Sequence, residues 1–355
     1  MDIEFHYYMT YLIAARAGFG SAQAVIIAQS AQEVDDNHIP IEVSAGTSSA
    51  YTSTLSQTMD ILHPRHNKRI YPIFHFIPGD PDSPSAARHD GRKSKWVTTP
   101  NSQLANAMID SALKSGNLYR IGASAHAYAD TWAHQNFLGI DDNFNEMPLD
   151  RAKSIMGRIE DLATIAMVGH ALAEHKPDIP GLIWNDPRLA NPVVENTPRF
   201  LDAAEHLFRK LSLHLKGPGH NSDPEIASIR HDLEQDIGAS SANSPQLDAA
   251  RIQRYQARAR QAAYGGTDMP AYNVGKWADA AFVEKRTDIA QRLALYMAEN
   301  LGLIGDALDF GTRMPCTWKD TTRFKETDWY KFQEAVVSHL NECWELLKTQ
   351  IPEAT

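Results

Sequence analysis

Cysteine is scarce in this sequence: only Cys316 and Cys343 occur among 355 residues. They form no Cys-x-x-Cys pair, which excludes a disulfide scaffold and a thiolate metal site. Basic residues are also in deficit, since 34 Lys and Arg face 44 Asp and Glu and give a formal net charge of −10. Proteins that neutralise the phosphates of a nucleic acid duplex carry the opposite imbalance, so we expect no duplex nucleic acid as a partner.

Long apolar runs are missing as well. The apolar patch near the amino end, MTYLIAA, is too short to cross a bilayer and follows no basic segment. The sequence therefore predicts no signal peptide or transmembrane segment, and a protein that is cytoplasmic or is exported by a leaderless route. Strand-like alternation is rare too, whereas apolar residues recur every three or four positions. We expect an all-α multi-helix bundle with loop insertions, in which residues 1–355 form a single catalytic domain.

Eight segments have the helical pattern and are predicted as helices: 21–36, 102–113, 120–137, 149–176, 197–215, 244–264, 287–308 and 328–349. Ser21 is expected to cap the first of them. Polar residues, Pro and Gly indicate surface loops over 80–100 and 216–223. The polar, glutamine-rich stretch 237–273 is predicted to be an insertion or a mobile lid.

Histidine, in contrast, is frequent, with fifteen residues. The sharpest local pattern is His126-x-x-x-Asp130-x-x-x-His134, whose steps of four place three side chains on one stripe of a helix. At a rise of ~1.5 Å per residue the two imidazoles lie about 12 Å apart along the axis, too far to share one ion. Asp130 lies between them and is placed to bridge two ions. The alternative is a pair of core histidines bonded to the backbone.

A second pattern is His170-x-x-x-Glu174, again with the spacing that lets an imidazole and a carboxylate chelate one ion from a single helix. On its own this pair is a weak signal, because many helices carry such residues in contact with solvent. Asp178 is a rival oxygen ligand if the helix ends early.

Three further groups precede these patterns. His6 interrupts an aromatic run, and His75 is the one polar residue of a buried segment that we expect to be extended. Asp35 and Asp36 end the helix 21–36, where carboxylates oppose the macrodipole, so a positive partner is expected nearby. Core packing for the histidines and a solvated turn for the aspartates are the alternatives.

Taken in order, these residues resemble the zinc ligands of the zinc-dependent phospholipase C superfamily, which also contains single-strand nucleases. The segment HAYADTWAH is similar to the branch that includes leaderless bacterial phosphatidylcholine phospholipases C. The resemblance covers residues 6–174, about half of the chain, and implies a helical bundle that holds two or three Zn²⁺ ions. Secreted relatives also bind zinc through the amino group of an amino-terminal Trp, whereas this chain begins Met1-Asp2. The resemblance therefore does not decide whether the amino terminus is a ligand here.

The resemblance implies the following metal ligands, all within residues 1–180: His6, Asp35 or Asp36, His75, His126, Asp130, His134, His170 and Glu174. Zinc lowers the pKa of a bound water to about 7, and the resulting hydroxide would attack phosphorus. Whichever of Asp35 and Asp36 does not bind metal would orient or deprotonate that water as the catalytic carboxylate.

The expected substrate is a phosphatidylcholine-like phospholipid met at a transient membrane surface, with nuclease or nucleotide phosphohydrolase activity as the alternative. Tyr7, Tyr8, Trp132 and Phe137 neighbour the proposed ligands, and their faces suit a quaternary ammonium or a stacked base. A His-Asp phosphohydrolase would instead use His89-Asp90 or His231-Asp232. A non-catalytic helical binding protein is the third possibility. The sequence leaves the oligomeric state open.

Overall fold

The computed structural model describes residues 1–58, 64–147, 168–292 and 313–354. Their architecture is mostly helical, and a π-helical turn, Glu4–Met9, runs directly into the first α-helix. The α-helices are α1 (Thr10–Ala17), α2 (Ser21–Asp36), α3 (Pro64–Phe74), α4 (Gln103–Ser115), α5 (Leu118–Ala133), α6 (Asn196–Lys216), α7 (Asp223–Ile237), α8 (Ala249–Ala259), α9 (Lys276–Ala281) and α10 (Asp328–Gln350).

The described residues confirm the predicted predominance of helices and add short strands that were not predicted. Short strands form two small sheets in the described residues: β1 (Ile41–Val43), β2 (Tyr51–Thr52), β3 (Ile183–Asn185), β4 (Val193–Glu195) and β5 (Met314–Cys316). Strand β1 pairs antiparallel with β2 and parallel with β5, while β3 and β4 form an antiparallel pair. Strands of two or three residues are too short to leave an alternating pattern in the sequence.

Helix α5 is the central element of the fold and packs against α2, α4, α6 and α10. Its small residues Ala123, Ala125, Ala127 and Ala129 are fully buried. At Gly122 an added Cβ would lie 2.3 Å from the Ile27 carbonyl oxygen of α2. The absence of side chains there lets α2 and α5 approach closely, and both helices carry proposed metal ligands.

Several predicted helices are confirmed. The segment 21–36 coincides with α2, although Gly20 rather than Ser21 takes the capping position. The Ser102 hydroxyl accepts a hydrogen bond from the Ala105 amide and caps α4. Helices α6 and α10 match 197–215 and 328–349 within a residue, whereas α5 ends at Ala133 rather than 137.

Other segments differ from the predictions. Of the helix predicted over 149–176, residues 149–167 lie outside the described residues, and 168–176 consists of turns and a 3₁₀ turn rather than an α-helix. The helix predicted over 287–308 is described only to residue 292, where it is helical. Within 244–264 only α8 and a final 3₁₀ turn are helical.

Among the described residues no helix is both long and apolar enough to cross a membrane.

Candidate metal centre

The centre is built on the carboxyl-terminal half of α5. His126 and Asp130 lie on its buried face, and His134 is the first residue after the helix, where its amide still donates to the Asp130 carbonyl oxygen at 2.9 Å. All three side chains are at most 4% exposed. The Asp130 Oδ2 atom lies 3.2 Å from His126 Nε2 and 3.5 Å from His134 Nδ1, so the carboxylate is central to the stripe.

The ends of two neighbouring helices add His75 and Asp35. His75 directly follows α3, so the residues before it are helical and not extended as predicted, and the helix ends at Phe74. Its Nδ1 atom lies 3.1 Å from His126 Nε2 and 3.4 Å from Asp130 Oδ2. Asp35, at the end of α2, places Oδ1 3.6 Å from His126 Nε2 and 3.8 Å from His75 Nδ1. These two residues and His126 form a first set with ligand atoms within 4.8 Å of one another.

The amino-terminal turn, residues 1–9, supplies a second set of possible ligands. His6 is fully buried and its ring stacks on His126 with 3.7 Å between centroids. Its Nε2 atom lies 3.2 Å from Asp130 Oδ1, but the angle makes no hydrogen bond, and neither ring nitrogen has a hydrogen-bond partner. The amino group of Met1 is also buried, contacts Asp130 and lies 3.0 Å from Asp178 Oδ1. His6, His126 and Asp130 share a possible ion position.

A third set lies beyond the end of α5. His134 Nε2 is 3.0 Å from Asp178 Oδ1, and His170 Nε2 is 3.3 Å from Asp178 Oδ2. Phe76 stacks on the His134 ring at 4.5 Å and lies 5.8 Å from the His170 ring. Gly169 makes room for this ring, since a Cβ there would lie 2.2 Å from Phe76 Cζ. The packing of Phe76 thus helps to place both imidazoles around one carboxylate.

The tautomers of four imidazoles follow from their main-chain partners. One ring nitrogen of each donates to a backbone carbonyl oxygen, because a carbonyl can only accept. The pairs are His75 Nε2 with Ser56, His126 Nδ1 with Ala31, His134 Nδ1 with His75 and His170 Nδ1 with Glu174, at 2.7–2.9 Å. In the neutral rings the other nitrogen therefore carries a lone pair, and in each case that nitrogen faces a carboxylate or another such nitrogen.

Burial favours the neutral form of three of these rings, those of His75, His126 and His170. It lowers the pKa values of His75 and His126, and it lowers the pKa of His170 to about 4. Two unprotonated nitrogens, His75 Nδ1 and His126 Nε2, then face each other at 3.1 Å with no proton between them. Such an arrangement is unfavourable unless a cation lies between the lone pairs.

The acids and the amino group of the centre also have shifted pKa values. Burial alone opposes ionisation of Asp130, but His134 and the Met1 ammonium hold the pKa of that carboxyl well below its usual range. The pKa of Asp178 is lowered in the same way, against burial, chiefly by His170 and the Met1 ammonium. For Asp35, burial dominates and raises the pKa to about 7 despite the proximity of His75. The opposing carboxylates raise the pKa of the Met1 amino group to about 11, although burial acts to lower it.

Two predicted ligands are not brought to the centre. Glu174 has a positive φ of 58° and an exposed side chain 3.9 Å from Lys176, so its carboxylate points away. This corrects the predicted His170–Glu174 chelate: the α-helix it requires is absent, and Asp178 takes the position. The Asp36 carboxylate accepts a hydrogen bond from the Tyr272 hydroxyl instead of facing α5. Of the two adjacent aspartates, Asp35 alone joins a ligand set.

The four aromatic residues predicted to bind substrate are buried. Tyr7, Trp132 and Phe137 are each 1% exposed and Tyr8 is 4% exposed. Their faces pack inside the protein, because α5 lies in the core and the amino-terminal turn is covered by the segment around Tyr272. None of them offers an open face to a substrate.

The His-Asp dipeptides lie apart from the centre. His89 is exposed, and Asp90 forms an ion pair with Arg88 at 2.9 Å. In the other dipeptide His231 is exposed and Asp232 is engaged by Arg258. Neither dipeptide joins the ligand sets found among the described residues.

The donor atoms fit zinc. Imidazole nitrogens and carboxylate oxygens are its usual ligands, and a metal-binding histidine typically donates from its other ring nitrogen to a backbone carbonyl oxygen or a carboxylate. The unpartnered nitrogens of His6 and the facing lone pairs of His75 and His126 are the features that a bound cation would satisfy. The predicted zinc cofactor therefore has a chemically suitable site.

The sequence model of DUF6765, described as a family of unknown function, matches residues 1–347. The chain belongs to the DUF6765 family. No curated protein and no solved structure matches it. In this DUF6765 protein all three ligand sets lie inside the matched range. Because the family carries no described function, the chemistry of the DUF6765 site has to be argued from its geometry.

Proposed function

We propose that this protein is a zinc-dependent phosphodiester hydrolase of the phospholipase C type, with the helical fold of that superfamily. One observation carries the proposal: main-chain hydrogen bonds orient four imidazoles so that their unprotonated nitrogens converge on buried carboxylates. This is the arrangement of a polynuclear metal site with oriented ligands. A core histidine needs no carboxylate at its second nitrogen.

The ligand sets assign the residues. Asp35, His75 and His126 would hold one ion, and His134, His170 and Asp178 a second. His6 and Asp130, with the Met1 amino group beside them, would complete a third position. Zinc there supplies Lewis acidity and a lowered pKa for bound water, about 7 in known sites.

Asp35 is suited to handle a proton. Its side chain is 29% exposed, more than that of Asp130 or Asp178, so it marks the side from which solvent and substrate reach the centre. Its Oδ1 atom faces His75 and His126 and would bind the ion, which leaves Oδ2 to accept a proton from an attacking water or to hold that water in line.

The substrate class follows from charge and access. A net charge of −10 disfavours a polynucleotide and leaves a phospholipid headgroup as the better phosphodiester. An acidic protein would reach a membrane transiently, through apolar contact rather than attraction to anionic lipid. Because the four predicted aromatic residues are buried, recognition of the headgroup has to come from other residues around Asp35.

The test compares two adjacent carboxylates. We expect the Asp35→Asn variant to hydrolyse a chromogenic phosphocholine ester about 10²- to 10⁴-fold more slowly than the parent, the usual range for loss of a general base. Asp36→Asn is the matched control and should retain activity, because Asp36 bonds Tyr272. Single-stranded DNA is assayed in parallel, and faster hydrolysis of DNA would reassign the substrate. A parent protein that binds no zinc would overturn the proposal.

A further inference from the structure

A buried ion pair joins the amino-terminal turn to helix α8. Arg251 donates from Nε to Glu4 Oε2 at 2.7 Å and from Nη2 to Glu4 Oε1 at 2.8 Å. Glu4 is fully buried and the Arg251 side chain is 3% exposed. The Asp248 amide donates to the same carboxylate at 3.1 Å. A bidentate pair of this kind fixes orientation as well as distance.

The turn held in this way carries part of the metal centre. Glu4 lies between the Met1 amino group and His6 in the chain, and both of those groups contact Asp130. The amides of Phe5 and His6 donate to the Asp2 carbonyl oxygen at 3.0 Å, which links residues 2–6 in one short turn. Within the described residues, the Glu4 carboxylate bonds Arg251 and the Asp248 amide and none of the proposed ligand side chains. Its effect on the centre has to pass through the backbone.

The surrounding segment holds the turn from further points. The Tyr7 hydroxyl donates to the Pro270 carbonyl oxygen at 3.1 Å, and Tyr11 Oη lies 3.2 Å from Thr267 Oγ1. Together with the buried Glu4–Arg251 pair, these contacts pack the stretch 237–273, predicted as an insertion or lid, onto the amino-terminal turn and α1.

We propose that Arg251 is a positioning residue for the metal centre, which acts through Glu4 to hold His6 and the Met1 amino group against Asp130. The inference rests on the proposed zinc site and extends it to a residue more than 70 positions beyond the last ligand, Asp178. Lys cannot replace Arg here, because a single ammonium cannot make the two parallel bonds.

The experiment measures zinc binding rather than turnover. Zinc affinity and stoichiometry are determined by competition with a chromogenic chelator, and the visible spectrum of the Co²⁺-substituted protein reports on ligand geometry. We expect Arg251→Lys to weaken one zinc position about 10- to 100-fold, as for other residues that orient ligands. Arg258→Lys is the matched control: Arg258 lies on the same helix but pairs with Asp232 and Asp236, away from the turn.

A second variant tests whether the effect of Arg251→Lys comes from a loss of folding. Glu4→Met combined with Arg251→Met removes both charges, so no unpaired charge stays buried and the fold should persist. It should weaken the same zinc position, with faster hydrogen exchange over residues 1–9 than in the parent. Unchanged zinc affinity and Co²⁺ spectra in both Arg251 variants would overturn the inference and leave the zinc site standing. A parent that binds no zinc would overturn both.

Discussion

Two buried histidines show what separates a ligand from a core residue. His126 on α5 and His339 on α10 are both fully buried. The second nitrogen of His126 faces Asp130 and His75, whereas His339 has the Cys343 sulfur 3.5–3.6 Å from its ring nitrogens and Phe74 5.5 Å away. Within the described residues no carboxylate lies within ion-pair distance of His339, and burial lowers its pKa to about 3. Burial alone therefore does not distinguish the two histidines; the facing acid is what makes His126 the proposed ligand.

The largest effect is expected at Asp130. Asp130→Asn removes the charge that faces His6, His126 and His134, and we expect most of the bound zinc to be lost, with activity reduced about 10³-fold or more. His339→Gln is the matched change in the comparison region and should leave zinc content unchanged. Elemental analysis of both purified variants measures this. Equal zinc content in the two variants would remove the distinction drawn between the two histidine environments.

A smaller effect is expected at the third ligand set. Asp178→Asn should release one zinc ion per chain, because the carboxylate faces both His134 and His170. Glu174→Gln should release none, since its side chain points to solvent. Zinc stoichiometry by chelator titration separates the two. Loss of zinc from the Glu174 variant alone would show that Glu174, as the sequence pattern predicted, is the ligand and Asp178 is not.

A third prediction concerns a buried acid without histidine partners. Burial and the nearby Asp36 raise the pKa of Glu33 to about 8, so the folded state holds a proton that the unfolded state releases above its ordinary pKa of 4.5. Stability contributed by this group is therefore lost as pH rises from about 4.5 to 8, by up to about 1.4 kcal/mol per pH unit. Glu33→Gln should flatten this decline, measured by urea unfolding across that range. Parallel pH profiles for parent and variant would contradict it.

The smallest effect is expected from helix packing. Gly122→Ala adds a methyl group where α2 and α5 touch and should destabilise the protein by about 1–3 kcal/mol. Gly219→Ala, at a position with nothing within 4 Å, is the control and should be nearly neutral. Thermal unfolding compares them. A neutral Gly122 variant would show that the close approach of the two helices is not required.

The residues of the centre that are regularly spaced on a helix could be predicted from the sequence. The four-residue steps of His126, Asp130 and His134 depend only on helix geometry, and α5 supplies that helix. The sequence could not predict which of Asp35 and Asp36 faces the histidines. Consecutive residues of a helix point about 100° apart, and only the position of α5 relative to α2 decides between them. Asp178 replaced Glu174 because the chain turns at Glu174 with a positive φ, which no periodicity predicts.

Aromatic residues near a ligand in sequence were misleading for a similar reason. Tyr7 directly follows His6, and Trp132 lies two residues from both Asp130 and His134, but on a helix residues one or two positions apart point to different sides. Their side chains consequently fill the core around the centre. The small strands are too short to leave an alternating pattern, and for β5 the partner is also distant: β1 pairs with β5, more than 250 residues later.

The bond between Glu4 and Arg251 joins residues 247 positions apart. During synthesis the first nine residues therefore lack this partner until Arg251 has left the ribosome. Closing so long a loop is entropically costly, so we expect the amino-terminal turn to be fixed only after helix α8 has formed. A chain that ends before Arg251 should then fail to hold His6 against Asp130, and the proposed zinc position there should stay empty.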